Sequence, residues 1–336
     1  MRIWIDLANS PHVPFFRPLA NELTRRGHSV VVTARQFAET VPLARAAGFS
    51  PEVIGGHGGG RLSGKAGNLV GRGLALARWA RGKQIDLALG HNSYSQILAA
   101  RALSLRSVTL MDYEHQPANH LAFRLASRVI VPRAFPEAAL TRFGVASAKV
   151  KRYQGIKEDV YLADFSADPN FAIELQELGI AAGNVLVTVR PPASDALYHR
   201  FENKLFEQLL ERILEGPAVK LILLPRNEAQ REQYQRDQII IPENPLDGPN
   251  LVAWSDLVAS AGGTMNREAA ALGVPAASIY QGEWAAIDLQ LVAEGRLRRL
   301  ATAADVRGLE IEKKPRRPGR ARAGVLQEVA NLILED

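Results

Sequence analysis

Most of the strands that the sequence predicts are continuous apolar runs, and this pattern constrains the fold more than any other feature. The runs occupy residues 3–5, 29–33, 86–89, 107–111 and 128–131 in the first half, and 185–189, 219–224, 257–260 and 276–280 in the second. Segments with apolar residues at helical spacing separate them, such as Phe16, Leu19, Ala20 and Leu23. Strands without polar alternation are typical of parallel sheets covered by helices on both faces. The sequence therefore predicts an α/β fold built on doubly wound parallel sheets.

The length of 336 residues exceeds what one ordinary hydrophobic core accommodates. The strand series pauses between residues 153 and 182, where GIKEDVYLADFSADPNF is polar and suits a domain junction. We expect two Rossmann-like domains, residues 1–160 and 161–320, that face each other across a cleft. A last helix, in residues 321–336, is expected to cross back to the first domain.

Composition narrows the class of protein. The chain is 47% hydrophobic and 23% charged, as soluble globular proteins are, and it has no apolar run long enough for a transmembrane helix. It has no cysteine, which excludes disulfides and thiolate chemistry. Asp6 interrupts any signal-peptide core, so we expect a cytoplasmic protein. The formal charge of +6 indicates an anionic partner, whether nucleotide phosphate, acidic lipid or nucleic acid.

The stretch SAGGTMNREAAALGVP (260–275) places two glycines between an apolar run and a helical segment. Gly262 and Gly263 let a ligand approach the backbone, and the following helix directs its free N–H groups and positive dipole end at that ligand. Thr264 is placed to cap the helix or bind a phosphate, and Glu268 to accept hydrogen bonds from both hydroxyls of a ribose. A tight turn with a surface glutamate explains the spacing equally well, but ligands of open α/β sheets bind outside the carboxyl ends of strands.

The first strand-to-helix loop, DLANSPHVPFF (6–16), holds His12 between Pro11 and Pro14. A rigid loop that carries an imidazole suits a general base, and a histidine that caps the next helix is the structural alternative. The loop lacks the pattern G-x-G-x-x-G, which argues against a nicotinamide-binding domain.

Two further polar loops follow strands of the same predicted sheet, HNSYSQ (91–96) and MDYEHQPANH (111–120). The second has more polar side chains than helix capping needs, and we expect them to face His12. They are Asp112, Tyr113, Glu114, His115, Gln116, Asn119 and His120. Pro117 breaks helical register between the two histidines, so no metal site is expected.

In the second half, Arg190 and Arg226 end two predicted strands, and Asn227 follows Arg226 directly. Two guanidiniums near a helix N-terminus suit a diphosphate, although surface ion pairs explain them as well. The loop IYQGEW (279–284) ends another strand, and Gln281 and Glu283 within it are placed to touch the base or sugar of a ligand.

Three basic segments have less specific interpretations. GGHGGGRLSGK (55–65) is similar to a P-loop, but Ala66 stands where the magnesium-binding Ser or Thr belongs, so we interpret it as a glycine-rich loop. NLVGRGLALARWARGK (68–83) predicts a basic helix that packs on its own sheet, with anionic lipid as the alternative partner. KKPRRPGRAR (313–322) is expected to be extended.

Together these motifs resemble those of two-domain GT-B glycosyltransferases. Gly262, Glu268 and the following AAALGVP are similar to the nucleotide-sugar motif of the lipid-linked N-acetylglucosaminyltransferase of peptidoglycan synthesis and of the non-hydrolysing UDP-N-acetylglucosamine 2-epimerases. SPHVP resembles the Gly-Gly-His loop of that transferase, and MDYEHQPAN its His-Glu-Gln-Asn segment. IDLANSPHVPFFRPL, MDYEHQPANHLAFRLA and GGTMNREAAALGVP together resemble the uncharacterised family called domain of unknown function 354.

The resemblance implies roles for individual residues. His12 would deprotonate an acceptor hydroxyl, with Asp112 or Glu114 as the alternative base. The diphosphate and ribose of the donor would bind Gly262, Gly263, Thr264 and Glu268, in a site completed by Arg190, Arg226, Asn227, Asn266, Gln281 and Glu283. The acceptor side would include Asn9, Ser10, Asn92, Ser93, His115 and Asn119. No metal or cofactor is expected, because helix dipoles and basic side chains can stabilise the departing diphosphate.

The expected function is glycosyl transfer from a nucleotide-diphosphate sugar, UDP-linked, to an acceptor that is lipid-linked or a polysaccharide. The C-terminal domain would bind the donor and the N-terminal domain the acceptor. The first loop reads Asn9-Ser10-Pro11 where the transferase is glycine-rich, which leaves the acceptor open. Peripheral contact with an anionic inner membrane face fits the positive charge, and nucleic acid is not the expected partner.

Two alternatives stay open. The first is a nucleotide-sugar 2-epimerase, from which the sequence departs at Ser93, where the epimerases carry an aspartate, and at Val189-Arg190, where they carry a His-Arg pair. The second is a non-catalytic nucleotide or polyanion binder that uses the tract 313–322.

Overall fold

The structure, a computed structural model, describes residues 1–37, 39–56, 62–192, 204–216, 218–313 and 318–335. It divides into two compact units, Met1–Tyr161 with Arg322–Asp336, and Leu162–Ala321. Residues 57–61 of the glycine-rich segment and 314–317 of the basic tract lie outside the described residues.

The first unit is built around a sheet of seven parallel strands in the order β3-β2-β1-β4-β5-β6-β7. The strands are β1 (Arg2–Leu7), β2 (Ser29–Ala34), β3 (Glu52–Val53), β4 (Leu87–His91), β5 (Arg106–Leu110), β6 (Arg128–Pro132) and β7 (Val150–Tyr153). The helices are α1 (His12–Arg25), α2 (Thr40–Ala46), α3 (Leu62–Ala80), α4 (Tyr94–Ala102), α5 (Asn119–Leu125) and α6 (Glu137–Phe143), and α7 (Asp159–Leu162) follows β7.

The second unit has six parallel strands in the order β10-β9-β8-β11-β12-β13. These are β8 (Val185–Arg190), β9 (Val219–Leu223), β10 (Ile239–Ile240), β11 (Leu257–Ser260), β12 (Ala276–Ser278) and β13 (Arg298–Arg299). The helices are α8 (Phe171–Glu177), α9 (Lys204–Leu214), α10 (Glu228–Tyr234), α11 (Gly248–Trp254), α12 (Gly263–Leu272), α13 (Ala286–Ala293) and α14 (Ala303–Arg307), and α15 (Val325–Leu334) belongs to the first unit.

The apolar runs form the strands for the reason that the sequence indicates. Residues of β1, from Ile3 to Leu7, are fully buried, because helices cover both faces of the sheet. Helix α1 buries Phe16, Leu19 and Leu23 along one face against the same sheet. The predicted α/β class with doubly wound parallel sheets is confirmed.

Helix α15 completes the core of the first unit, although it is distant from that unit in sequence. Val329 and Ile333 are fully buried in the cluster that also contains residues of β1 and α1. At the surface, Arg26 Nη1 donates to Asn331 Oδ1 over 2.6 Å, and Lys151 Nζ lies 2.6 Å from Glu335 Oε2. The first unit therefore includes the last helix of the chain. None of the helices described is both long and apolar enough to cross a bilayer.

Candidate functional site

In each sheet the strand order reverses direction at one place, and several of the predicted site residues lie there. In the first unit the reversal falls between β1 and β4, and in the second between β8 and β11. Loops that leave the carboxyl ends of two such strands diverge and open a crevice, which is where open α/β sheets bind ligands. His12 follows β1, and Gly262 follows β11. Each unit therefore has a candidate site of its own, the first-unit site and the second-unit site.

The first-unit site consists of His12, His91, Asp112 and Lys157. His12 is the first residue of α1 rather than part of the preceding loop, and its backbone N–H donates to Asn9 O over 3.0 Å. The imidazole lies 5.3 Å from that of His91, between ring centroids. Its Nδ1 is buried and has no hydrogen-bond partner among the described residues. The histidine that we predicted as a base thus stands beside a second imidazole.

Asp112 joins His91 to Lys157. Its Oδ1 lies 3.4 Å from His91 Nε2, and its Oδ2 lies 3.4 Å from Lys157 Nζ. Lys157 Nζ also lies 3.6 Å from Glu158 Oε1. His91, Asp112 and Lys157 are all buried. Asp112 is therefore held between two basic groups and is poorly placed to remove a proton from a substrate.

Sequence reasoning missed two members of this site. His91 is the first residue of the segment HNSYSQ, but it was not predicted as a site residue. In the structure it is the last residue of β4. Lys157 fell in the segment that we interpreted as a domain junction. The available signal was position, because both residues follow or end strands of the sheet that carries His12.

The surroundings of His12 keep its imidazole neutral. Burial lowers the pKa of His12 well below its ordinary value of 6.5. His91, Lys157 and Arg72 lower this pKa further, while Asp112 acts in the opposite direction. At neutral pH the ring can therefore accept a proton, which a general base must do.

Other predicted residues of the loop 111–120 have structural partners. Glu114 is buried, its carbonyl accepts from Arg142 Nη2 over 2.8 Å, and its Oε1 lies 3.8 Å from His115 Nε2. Asn119 is fully buried and donates from Nδ2 to Tyr113 O, so it fixes the loop rather than lining an acceptor site. His120 packs edge-on against Phe143, 4.9 Å between ring centroids. Among the described residues no group of three or more acidic or histidine side chains is arranged to hold a metal ion.

Ser93 also differs from its expected role. It is buried, and its hydroxyl donates to Asp6 Oδ2. The neighbouring Asn92 has a φ of 57°, a left-handed conformation that costs most non-glycine residues energy. Its Nδ2 donates to Tyr94 Oη. At the first loop, Asn9 is exposed and Ser10 Oγ lies 3.3 Å from Thr40 Oγ1. Of these four residues, Asn9 is the one whose side chain is exposed.

A buried ion pair fixes the loops around the first-unit site. Arg72 Nη1 and Nη2 donate to the two carboxylate oxygens of Asp6 over 2.9 and 2.8 Å. Thr33 Oγ1 donates to Asp6 Oδ1 over 2.6 Å and itself accepts from Trp4 Nε1. Because Asp6 ends up bonded to α3, β2 and the start of α4, its carboxylate sets the relative position of those elements.

The second-unit site is formed by Arg190, Arg226 and the start of α12. The N-cap of that helix is Gly262, which has an extended backbone and no side-chain cap. The expectation that Thr264 caps the helix is therefore not met. A Cβ atom on Gly262 would lie 3.3 Å from Arg226 Nη2. The glycine therefore allows the guanidinium to approach the uncapped helix end, where free N–H groups attract anions.

The two guanidiniums of this site repel each other. Arg190 ends β8 directly beside Ser260 of β11, and its Nε is buried without a hydrogen-bond partner among the described residues. Partial desolvation, then the charge of Arg190, lowers the pKa of Arg226 to about 10. Burial lowers the pKa of Arg190, and Glu268 offsets this in part. Two cations held close together beside a helix N-terminus form a site that an anion would stabilise.

Backbone contacts show how this loop region is held in place. Arg226 Nε donates to Pro191 O over 2.9 Å. Asn266 donates from Nδ2 to Gly262 O over 3.1 Å, and the Asn227 side chain caps α10 by accepting from Gln230 N. The side-chain oxygen of Asn227 is thus used within α10, and Asn266 Oδ1 is buried without a hydrogen-bond partner among the described residues.

The remaining predicted donor residues differ in exposure. Glu268 is half-buried on α12, and Glu283 is exposed. Gln281 is exposed, and its Nε2 lies 3.3 Å from Ile279 O. The structure therefore brings Arg190, Arg226, Gly262 and Glu268 to one edge of the sheet.

Solved structures with this fold include a UDP-GlcNAc 2-epimerase and a glycotransferase. UDP-GlcNAc 2-epimerase from Neisseria meningitidis, bound to UDP-GlcNAc, matches with a TM-score of 0.75, at 14% identity and over 100% of both chains. The glycotransferase of kitacinnamycin matches with a TM-score of 0.56, at 15% identity, over 99% of this chain and 92% of that chain. These likenesses and the two parallel sheets establish a GT-B-like fold.

Sequence comparison identifies one relative and one family. The uncharacterized protein MJ0665 of Methanocaldococcus jannaschii is 28% identical over 310 residues, which cover 88% of this chain and 86% of that protein. The pattern of one family, described as protein of unknown function (DUF354), matches residues 1–320. The chain belongs to the DUF354 family.

Proposed function

We propose that the protein is a glycosyltransferase that takes a sugar from a UDP-linked donor. The second unit binds the donor diphosphate at Arg190, Arg226 and the N-terminus of α12, and the first unit supplies His12 as the base. The observation that carries the proposal is the pair of guanidiniums beside an uncapped helix end. A diphosphate suits such a site in two ways. Its several oxygens accept hydrogen bonds from the guanidinium and helix N–H groups, and its negative charge cancels the repulsion between the two cations.

The solved structures support the choice of nucleotide. The Neisseria protein was crystallised with UDP-GlcNAc, and the S. aureus protein MnaA, with a TM-score of 0.72, was solved with UDP. In this chain, Glu268 on the helix that follows Gly262 would accept hydrogen bonds from the ribose hydroxyls.

The transfer step requires only the groups already described. His12 accepts the proton of an acceptor hydroxyl, whose oxygen then attacks the anomeric carbon of the sugar. The bond from that carbon to the diphosphate breaks, and its electron pair leaves on the diphosphate oxygen. Arg190, Arg226 and the helix N–H groups stabilise the negative charge that develops there.

A 2-epimerase is the second candidate, because several of the matching structures are UDP-GlcNAc 2-epimerases. The first-unit site argues against it. Where the epimerases carry an aspartate this chain has Ser93, whose hydroxyl is already engaged with the buried Asp6. Removal of a C2 proton would lack that carboxylate.

A polyanion binder that uses the tract 313–322 is less well supported. Lys313 Nζ lies 3.3 Å from Asp256 Oδ2, and Arg320 Nε lies 2.8 Å from Glu294 Oε2. Two of the basic residues that this function needs are thus paired within the second unit.

Calorimetric titration with UDP, UDP-GlcNAc, GDP and ADP tests the donor site. We expect one uridine nucleotide to bind, and Glu268→Ala to weaken it by about 1–3 kcal/mol through the lost ribose bonds. Glu177→Ala, at an exposed position on α8, is the matched control and should leave binding unchanged. If no nucleotide binds, the proposal fails.

Incubation with UDP-GlcNAc in D₂O separates the two reactions. A transferase without its acceptor releases UDP slowly and leaves the C2 hydrogen in place, whereas an epimerase exchanges that hydrogen for deuterium. NMR of the sugar measures this exchange, and rapid loss of the C2 hydrogen would establish the epimerase instead.

A further inference from the structure

We propose that His12 and His91 act as one coupled pair, in which His12 meets the acceptor and His91, held by Asp112 and Lys157, is a positioning residue that limits the pair to a single proton. The inference deepens the proposed function and rests on it only for the identity of the hydroxyl that loses its proton.

The first argument is placement. His12 and His91 come from the carboxyl ends of the two strands between which the sheet order reverses, β1 and β4. Their rings are 5.3 Å apart and tilted by 51°. Phe15 packs edge-on against His91, with ring centroids 5.5 Å apart, so the His91 ring is confined on a second side. His91 is buried and His12 is half-buried, which leaves His12 as the ring that can reach a substrate.

The second argument is orientation. Asp112 places Oδ1 toward His91 Nε2, which favours the neutral tautomer with its proton on Nε2. Lys157 Nζ lies 3.4 Å from the other carboxylate oxygen of Asp112 and 3.6 Å from Glu158 Oε1, so the Asp112 carboxylate is held from both sides. A histidine held by a carboxylate in this way keeps one ring orientation through the reaction.

The third argument is charge. Two imidazoles this close in a buried site cannot both be protonated at low cost, so their titrations are coupled. The groups that face His12 are His91 from β4, Lys157 after β7, Arg72 from α3 and Asp112 after β5. Lys157 and Arg72 oppose a charge on His12, and so does His91 once it is protonated, whereas Asp112 favours that charge. When His12 takes a proton from the acceptor oxygen, its new charge is stabilised by Asp112 as long as His91 stays neutral.

NMR titration of ¹⁵N-histidine-labelled protein between about pH 5 and pH 8 tests the proposal without any nucleotide. Long-range ¹H–¹⁵N spectra report the charge and tautomer of each ring, and His12→Gln and His91→Gln assign the two signals. In the wild type we expect His12 to stay neutral at pH 7 and His91 to carry its proton on Nε2.

The variants must move the His12 titration in opposite directions. Lys157→Gln removes a cation, and His91→Gln removes a ring that opposes the His12 charge whenever it is itself protonated, so each should raise the His12 pKa. Asp112→Asn removes the group that favours it and should lower that pKa, or keep His12 neutral throughout the range. His120→Gln, at a ring that packs on Phe143, is the matched control and should change nothing.

Two outcomes would overturn the inference. One is a His12 titration that neither His91→Gln nor Lys157→Gln alters. The other is a rise in the His12 pKa on Asp112→Asn, since general loosening of the site would expose the ring and raise its pKa in every variant. If His91→Gln does not fold, Lys157→Gln and Asp112→Asn still give opposite signs. Nucleotide binding at the second-unit site is measured separately, so either proposal can fail alone.

Discussion

Replacing Arg226 by glutamine separates the two forces that act on this side chain. In the free protein the guanidinium donates to Pro191 O over 2.9 Å, and losing that bond costs about 1 kcal/mol. Desolvation of the guanidinium and repulsion from Arg190 together lower the Arg226 pKa to about 10. The substitution relieves both effects, which offsets the loss of the hydrogen bond. Because Arg226 is exposed overall, screening reduces that relief to about 1 kcal/mol. The two nearly cancel, so we expect Tm to change by less than about 3 °C.

Nucleotide binding should respond much more strongly. A charge-assisted contact to diphosphate contributes about 1.5–3 kcal/mol, so Arg226→Gln should raise the Kd for UDP by about 10- to 100-fold. Calorimetry gives the Kd, and thermal unfolding followed by circular dichroism gives Tm. Arg236→Gln, in the same unit and 50% exposed, is the control and should change neither. Unchanged UDP affinity in Arg226→Gln would refute the reasoning, and lost affinity with a Tm lower by many degrees would show that Arg226 acts through packing.

Three further substitutions test the fold of the first unit. Asp6→Asn leaves the buried Arg72 without its ionic partner and should lower the unfolding free energy, measured in urea, by about 3–5 kcal/mol. The control Asp86→Asn, at an exposed position, should lower it little. Glu22, whose pKa two arginines lower to about 2, stabilises the folded state above pH 4.5 and loses that effect as pH falls toward 2. Glu22→Gln should therefore cost about 1 kcal/mol at pH 7, and its difference from wild type should shrink over that range. Ile333→Ala opens a cavity under α15 and should lower the unfolding free energy by about 2–5 kcal/mol, which equilibrium denaturation measures.

The central strands were predictable because burial on both faces leaves a strong sequence signal. The runs 3–5 and 257–260 fall within β1 and β11. The strands that were missed lie at or next to sheet edges, such as β7 and β13. Residues in β7 are mostly half-buried, and β13 consists of the two exposed residues Arg298 and Arg299. An edge strand covered on one side needs few apolar residues, so its sequence resembles a loop.

The candidate site was predictable as a set of loops but not as a set of contacts. Parallel topology alone brings His12, Asp112 and Arg190 to carboxyl ends of strands, and sequence reasoning used that fact. Whether a side chain then faces a ligand or the interior depends on partners that are distant in sequence. Ser93 bonds to Asp6, 87 residues away, and no local pattern indicates this. His91 escaped notice because a histidine that ends a buried strand resembles an ordinary core residue.

The two units share a strand order around their reversal points but differ in the chemistry placed there. Both sheets run outward in the same way from a central pair, β1 with β4 and β8 with β11. In the first unit that crevice holds a neutral imidazole beside a buried carboxylate, and in the second it holds two cations beside a helix end. An imidazole that accepts a proton must be neutral beforehand. A diphosphate site instead needs positively charged side chains that other groups of the protein do not fully neutralise. His12→Ala should therefore leave the Kd for UDP unchanged while abolishing transfer, and weakened UDP binding in that variant would show that His12 belongs to the donor site instead.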